Sequence, residues 1–235
     1  MATVSVIIPT LNEAENIDLL LERILEVRRV GGIDFDIVFV DSASSDETCA
    51  RVENWREKGP VSLLRLEKNF GLAGAVLAAS RSVNSDIVLV LDADLSHPPE
   101  VIPLLIKPIL AGEYDMMLGS RYVAGGSTPD WPWTRRLSSR IATLPARFFC
   151  DVCDPLAGFF AVRRQLLSEL PVAVPGFKIA LALLAEYGST VRVAELPIGF
   201  RDRDFGVSKM SSTVALAYLG QLTALFLRRI RRGSR

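Results

Sequence analysis

Apolar residues recur along the first 120 positions in two alternating rhythms. Short, mostly apolar runs at 4–8, 35–40, 61–66, 87–91 and 116–118 have the length and composition of buried strands. Between them the spacing turns helical. Within 13–29 the apolar positions fall at 17, 20, 21, 24 and 25, and further helices are expected at 46–58 and at the small-residue stretch 71–81. Another, broken by Pro103 and Pro108, is expected after the fourth strand. Strict alternation of strand and helix predicts an α/β domain: a Rossmann-like, mainly parallel sheet with helices on both faces.

Beyond Arg121 the rhythm changes. Residues 125–133 form a Gly-, Pro- and Trp-rich loop, and 135–149 read as a helix with Pro145 near its middle. A short strand and helix at 158–170, a strand at 191–200, a charged loop at 201–209 and a helix at 211–230 complete the chain. The expected organisation is one domain over 1–210, with halves 1–120 and 121–210, followed by a helix and basic tail over 211–235.

Composition narrows the partners. A hydrophobic content of 49% with 23% charged residues is that of a globular protein, not a disordered one. The 27 basic residues are balanced by 27 acidic ones, so no bulk field favours nucleic acid. The balance is uneven along the chain, because residues 228–235 hold five arginines and no acid. The stretch from Ser212 to Ile230 is mostly apolar but interrupted at Gln221, Thr223 and the pair Arg228-Arg229, too soon to span a bilayer. It fits an amphipathic helix lying in the membrane interface with its arginines on anionic headgroups, or else a core-packing terminal helix with a solvated tail. Three cysteines, at 49, 150 and 153, suit a reducing compartment. The C-x-x-C pair at 150 and 153 has no second pair and lies far from the single histidine, His97, so these thiols read as small core residues. Met1 leads almost at once into the first strand, so no leader peptide is expected.

The most telling motif is V-L-V-L-D-A-D-L-S-H-P-P, residues 88–99. Asp92 and Asp94 follow a buried strand, at the carboxyl end where open α/β sheets bind ligands. Two such carboxylates are costly to bury unpartnered, and a divalent cation gripping a diphosphate would neutralise both; a solvated acidic turn is the alternative. The first strand ends in I-I-P-T-L-N-E, which places Pro9, Leu11, Asn12 and Glu13 on the same rim, and the second ends in V-F-V-D-S-A-S-S-D, which places Asp41 there. Carboxylates at these turns can accept from the donor edge of a base, although Asn12 and Asp46 serve equally well as helix caps. No G-x-G-x-x-G follows the first strand, which argues against a dinucleotide cofactor. In Lys68-Asn69-Phe-Gly71-Leu-Ala-Gly74 the glycines permit close approach of a phosphate to Lys68, or simply tight helix–sheet packing. Arg121, Arg135, Arg140, Arg201, Arg203 and Lys209 all fall in the irregular half, as a clamp for phosphates or as scattered surface charge.

In this order and spacing, D-A-D-L-S-H-P-P, G-S-R-Y, W-P-W-T-R-R-L-S-S, D-P-L-A-G-F-F and F-R-D-R-D-F-G-V-S-K-M resemble glycosyltransferase family 2, and within it the polyprenol-phosphate (dolichol-phosphate) mannose synthases. The resemblance implies a GT-A fold, a nucleotide-diphosphate sugar donor and Mg²⁺ or Mn²⁺ at Asp92 and Asp94, with Ser96 helping to hold the metal or its water. It assigns Pro9, Glu13 and Asp41 to the nucleoside turns, beside Leu11, Lys68 and Asn69 on the donor side. Arg121, Arg135 and Ser139 match the cluster that receives a lipid phosphate, and Lys178 in G-F-K-I matches a further acceptor-side position. Arg203 and Lys209 match a loop that closes over the phosphates. Asp94, Arg121, Arg135 and Arg203 are thereby expected to carry the chemistry. Leu11 stands where the family usually has tyrosine, Ser42-Ala43 where it has Asp-Gly, and Ala157 and Ala182 where it has serine and glutamate.

The implied reaction is inverting transfer of a hexose, foremost mannose from GDP-mannose, to a polyprenyl or dolichyl phosphate. Transfer of glucose or N-acetylglucosamine from a UDP-sugar is the nearest alternative, and a non-catalytic donor-binding subunit another. A saccharide hydroxyl as acceptor would need a general base, for which Asp154 is the candidate. The protein is then expected in the cytoplasm, peripheral on the cytosolic face of a membrane, docked by its terminal helix or by a separate membrane subunit.

Overall fold

The computed structural model describes residues 2–170, 178–202 and 212–233. The first half follows the alternation: β1 (Val4–Thr10), α1 (Ala14–Gly31), β2 (Asp36–Asp41), α2 (Thr48–Asn54), β3 (Val61–Arg65), α3 (Gly71–Ser82), β4 (Ile87–Val90), α4 (Ile102–Leu110) and β5 (Met116–Ser120). The second half adds α5 (Trp133–Ala146), β6 (Phe160–Arg163), α6 (Arg164–Ser168), α7 (Ile179–Tyr187), β7 (Val193–Pro197) and α8 (Ser212–Gly233). The seven strands form one sheet in the order β3-β2-β1-β4-β6-β5-β7.

Parallel pairing joins β3, β2, β1 and β4, and again β5 and β7; β6 alone runs antiparallel, between β4 and β5. Successive side chains on β1 enter opposite apolar layers, Val6 and Ile8 on one face and Ile7 on the other. Helices α1, α2 and α4 cover the first layer and α3, α6 and α7 the second. The carboxyl ends of β2, β1 and β4 therefore open onto one rim, at a point where the chain's winding changes direction.

Two sequence expectations need correction, and one helix has no counterpart among them. Pro103 sits in the first turn of α4, where its missing N–H costs nothing, and Pro108 lies near the helix end, so α4 is continuous rather than broken. Pro145 is the penultimate residue of α5 and marks its end, not its middle. Helix α7 has no amphipathic period because Ile179–Leu184 are buried all round, so helical spacing gave no sign of it.

Helix α8 is docked on the domain rather than merely trailing from it. Leu225 joins Ala146, Phe149, Leu156 and Leu181 in a third apolar cluster. Gln221, which interrupts the apolar run in sequence, is fully buried and exchanges two hydrogen bonds with the Lys178 backbone: Nε2 donates to the carbonyl at 2.8 Å and Oε1 accepts from the N–H at 3.2 Å. The Tyr218 hydroxyl donates to the Ala142 carbonyl at 2.7 Å. No helix among the described residues is long and apolar enough to cross a membrane.

Candidate active site

Three turns on the strand-end rim carry the only non-glycine residues of positive φ among those described: Asn12 at 58°, Ala43 at 62° and Leu95 at 61°. A left-handed backbone costs a non-glycine residue about 1 kcal/mol or more, and such strain gathers where side chains must be aimed. Each turn is laced by polar contacts. The Asn12 Oδ1 accepts the Ser45 N–H at 2.9 Å, and the Glu13 N–H donates to Thr48 Oγ1 at 2.9 Å. Asp41 is buried; it accepts from the Ser44 N–H at 2.8 Å, from the Ser44 hydroxyl and from Thr10 Oγ1 at 3.2 Å. Asp46 is not the N-cap of α2, which is Glu47, but from the position before it accepts from the Thr48 and Ala14 N–H groups at 3.0 and 3.2 Å, the first residues of α2 and α1.

The Asp-Ala-Asp turn has two unlike carboxylates. Asp94 is buried, and its Oδ1 accepts from the Ser96 N–H at 3.1 Å and the Ser96 hydroxyl at 2.6 Å. Asp92 is 31% exposed, with Oδ2 3.8 Å from Nδ1 of the buried His97. That Nδ1 has no hydrogen-bond partner among the described residues, an uncommon condition for a buried polar atom. Burial pushes the His97 pKa below the usual histidine range despite the fields of Asp92 and Asp94, so the ring is neutral at pH 7. Gly158 is what leaves room here, since a Cβ would lie 3.1 Å from Asp92 Oδ2 and 3.4 Å from His97 Cε1. Two adjacent carboxylates, one held by a hydroxyl and one open to solvent beside an orphaned nitrogen, suit a hard cation that completes its shell with phosphate and water. No group of three or more acidic, His or Cys side chains able to enclose an ion by themselves occurs among the described residues.

Facing this turn is a cluster of cations and aromatic rings. Arg121, at the end of β5, is almost buried and pairs bidentately with the fully buried Asp154, Nε and Nη2 each at 2.8 Å. Burial opposes its charge, but the hydrogen bonds and field of Asp154 outweigh it and the Arg121 pKa rises. Asp154 is itself positioned by Glu195 of β7, whose carboxylate accepts the Asp154 and Cys153 N–H groups at 2.9 and 2.6 Å. With both oxygens engaged by a guanidinium, Asp154 is a counterion rather than a free base. Arg121 also lies over the Tyr122, Trp131 and Phe200 rings, and Arg135 stacks over Trp131 at 4.1 Å while bonding Asp202 at 2.6 Å. Ser139, one turn along α5 from Arg135, accepts from the Tyr122 hydroxyl at 2.6 Å. A groove of about 320 Å³ is lined by Arg121, Tyr122, Arg136 and Arg140. Lys178 donates to the Leu156 carbonyl at 3.3 Å; its ammonium is buried although the residue is partly accessible, and burial together with the Arg121 charge lowers its pKa to about 8.

The structure thus brings Asp92, Arg121, Asp154 and Lys178 within electrostatic reach of one another. Lys68 and Asn69 occupy a more exposed turn after β3, Lys68 over the Phe70 ring and Asn69 accepting the N–H of Gly71, a glycine with φ of +72°. Arg203 and Lys209 lie outside the described residues. Spacing gave no role to Trp131, Phe200, Glu195 or Asp202; two aromatics in loops flanked by arginines were the available signal.

Solved structures similar to this chain include glucosyl-3-phosphoglycerate synthase from Mycobacterium tuberculosis, in complex with Mn²⁺, UDP-glucose and phosphoglyceric acid. It has a TM-score of 0.74 over 97% of this chain and 79% of that one, at 23% identity, a likeness of fold alone, and the fold is GT-A-like. Among curated relatives, the dolichol-phosphate mannosyltransferase of Pyrococcus furiosus is 39% identical over 94% of this chain. The chain spans 63% of that relative's length. The dolichol-phosphate mannosyltransferase of Saccharomyces cerevisiae is 33% identical over 95% of this chain and 86% of its own. The polyprenol monophosphomannose synthase of Mycolicibacterium smegmatis is 34% identical over 88% of this chain and 81% of its own. The family model for glycosyl transferase family 2 matches residues 5–171, well over half of the sequence, and the chain belongs to that family.

Proposed function

We propose that this glycosyltransferase moves mannose from GDP-mannose to a polyprenyl phosphate with inversion at the anomeric carbon. The observation that carries the proposal is the pairing across one cleft of an open carboxylate turn, Asp92 and Asp94, with a cation cluster whose acidic member, Asp154, is fully committed to Arg121. Such a site can bind two phosphate-bearing substrates, and the base that its described residues would offer, Asp154, is taken up by Arg121. A phosphate monoester needs none, since it carries about 1.5 to 2 negative charges near neutrality. The names of the relatives point to the same acceptor class.

Asp92 and Asp94, with Ser96 behind Asp94, would hold Mg²⁺ or Mn²⁺, which when bound neutralises the departing diphosphate. The turns at Pro9–Glu13 and Asp41 receive the nucleoside, with Leu11, Lys68 and Asn69 beside them. Arg121, Arg135, Ser139 and Lys178 collect the acceptor phosphate and overcome its repulsion from the donor. Arg203 and Lys209 are assigned to the donor phosphates on the sequence resemblance. An acceptor oxygen forms a bond to the anomeric carbon as the bond from that carbon to the diphosphate breaks. The electron pair leaves on the diphosphate and no proton is transferred.

The acceptor's hydrocarbon tail requires a bilayer nearby, and α5 and α8 supply a surface for one. On α5 and just beyond it, Trp133, Leu137, Ile141, Leu144 and Phe148 share one exposed helical face, while Arg135 and Ser139 lie on the other. Leu216, Leu219, Phe226 and Leu227 are exposed on α8, and Phe226 meets Phe148 with ring centroids 6.0 Å apart. Neither helix contains an acidic residue. This basic, apolar pair suits the cytosolic face of an anionic membrane, with α5 between bilayer and site. The 1–210 and 211–235 division is then functional, the latter part being a membrane element anchored on the domain.

Transfer of labelled sugar to extracted polyprenyl phosphates, with GDP-mannose, UDP-glucose and UDP-N-acetylglucosamine compared in the presence of Mn²⁺, tests the reaction. Product from GDP-mannose alone is expected; product only from a UDP-sugar would reassign the donor. Deleting α8 would strip the Leu225 cluster, so docking is better tested by Leu137→Gln/Ile141→Gln, which should abolish sedimentation with anionic vesicles. Unchanged sedimentation would contradict it.

A further inference from the structure

A second groove, of about 590 Å³, opens away from the strand-end rim, where the last turn of α5 and the residues after it meet α7 and α8. Its volume falls in the range of small-molecule sites. Arg147, just past the end of α5, and Arg228 and Arg229, within α8, line it together. Arg229 donates to the Phe148 carbonyl at 2.8 Å and lies 5.0 Å over the Phe148 ring, and none of the three arginines forms an ion pair among the described residues. Phe149, Leu184 and Leu225, all buried, supply apolar walls.

Asp151 and Glu186 also line the groove, so the five charged side chains among its described residues leave an excess of a single positive charge. That balance suits one monoanionic phosphodiester and disfavours a polyphosphate. A cation at a helix carboxyl end complements the helix dipole, which accounts for Arg147. It does not account for Arg228 and Arg229 converging with it on one cavity with apolar walls. The Phe148–Phe226 contact at the rim makes the groove continuous with the exposed apolar face of α5 and α8.

From this arrangement we propose that the groove is a binding site for an anionic phospholipid of the bilayer, the phosphodiester held by Arg147, Arg228 and Arg229 and the first carbons of an acyl chain against Phe149, Leu184 and Leu225. The proposal rests on the membrane-docking reading and deepens it. A lipid clamped at this corner fixes how the α5–α8 face is turned on the membrane, and with it where Arg135 and Ser139 meet the incoming acceptor.

The test is titration of the full chain with dihexanoylphosphatidylglycerol below its micelle concentration, followed by calorimetry, with dihexanoylphosphatidylcholine and glycerol 3-phosphate as comparisons. Saturable binding to the glycerol lipid is expected, at least about tenfold tighter than to either comparison. Arg147→Gln/Arg228→Gln should weaken it about tenfold or more with the melting temperature unchanged, Arg147 being exposed, Arg228 half-buried and neither in an ion pair among the described residues. Arg56→Gln/Lys58→Gln, the same change of charge just beyond α2, should not. Wild-type affinity in the groove variant, an equal loss in the α2 variant, or equally tight binding of glycerol 3-phosphate alone would overturn the proposal. Leu137→Gln/Ile141→Gln separates the two readings, because it should lose vesicle sedimentation yet keep binding the soluble lipid.

Discussion

The two sides of the cleft are built by different means. On the proposed donor side each carboxylate has a partner two or three residues away, Asp41 in Ser44, Asp94 in Ser96 and Asp46 in Thr48, and the longer contacts, Asn12 with Ser45 and Glu13 with Thr48, join turns at the ends of the adjacent strands β1 and β2. On the proposed acceptor side the ion pairs reach into the second half of the chain, Arg121 with Asp154 across 33 residues and Arg135 with Asp202 across 67. Pairing of β1 with β2 brings those two turns together, so the first half of the chain supplies all of these contacts. The acceptor cluster exists only once the irregular second half has packed against it. A donor rim built within the first half and an acceptor pocket assembled across the second should therefore fail differently when mutated.

The largest effect is expected on the donor side. Asp94→Ala should lower transfer by about 1,000-fold or more, roughly 4 kcal/mol of transition-state stabilisation, while the protein stays folded. Near-normal turnover in a labelled-sugar assay would remove Asp94 from the chemistry. On the acceptor side, Arg121→Ala or Asp154→Ala strands a buried charge and should cost about 3 to 5 kcal/mol of stability, read as a drop in melting temperature. The double replacement Arg121→Met/Asp154→Leu should regain much of that stability but not activity, which distinguishes a structural pair from one that also receives phosphate.

A smaller effect concerns pH. The Lys178 ammonium, with its pKa lowered to about 8 by burial first and the Arg121 charge second, loses its proton as pH rises through that value. In the free enzyme, affinity for the acceptor phosphate should fall above pH 8, and Lys178→Arg should push that fall upward. Stability moves the other way: the folded state binds fewer protons than the unfolded one between about 8 and the ordinary lysine value near 10.5, so this residue's contribution improves as pH rises across that window. The smallest effect is expected at His97. Phenylalanine there keeps the stacking on Phe159 but removes the nitrogen beside Asp92, and Mn²⁺ affinity measured by spin resonance should weaken about tenfold.

The same contrast explains what could be read in advance. Strands β1, β2 and β4 announce themselves because doubly covered parallel strands are continuously apolar, and each delivers its polar residue, Thr10, Asp41 or Asp92, as it leaves the sheet. The antiparallel insertion of β6 between β4 and β5 was not legible, since its few apolar residues look like any other buried strand. Asp154 read as a candidate base because sequence shows a carboxylate and not its guanidinium partner. Gln221 read as an interruption of an apolar helix because its two hydrogen bonds go to a backbone 43 residues away. Periodicity reports what faces a core, whereas pairing across many residues leaves no local trace.

The central claim is that the nucleophile arrives already charged, so that the site needs phosphate-binding cations and no base. Offering labelled GDP-mannose with either a polyprenyl phosphate or the matching polyprenol, under identical conditions, tests it directly. Mannosylated product from the phosphate and none from the alcohol is the predicted result. Comparable product from the alcohol would contradict the account, because a neutral hydroxyl could react at that rate only with a base to take its proton.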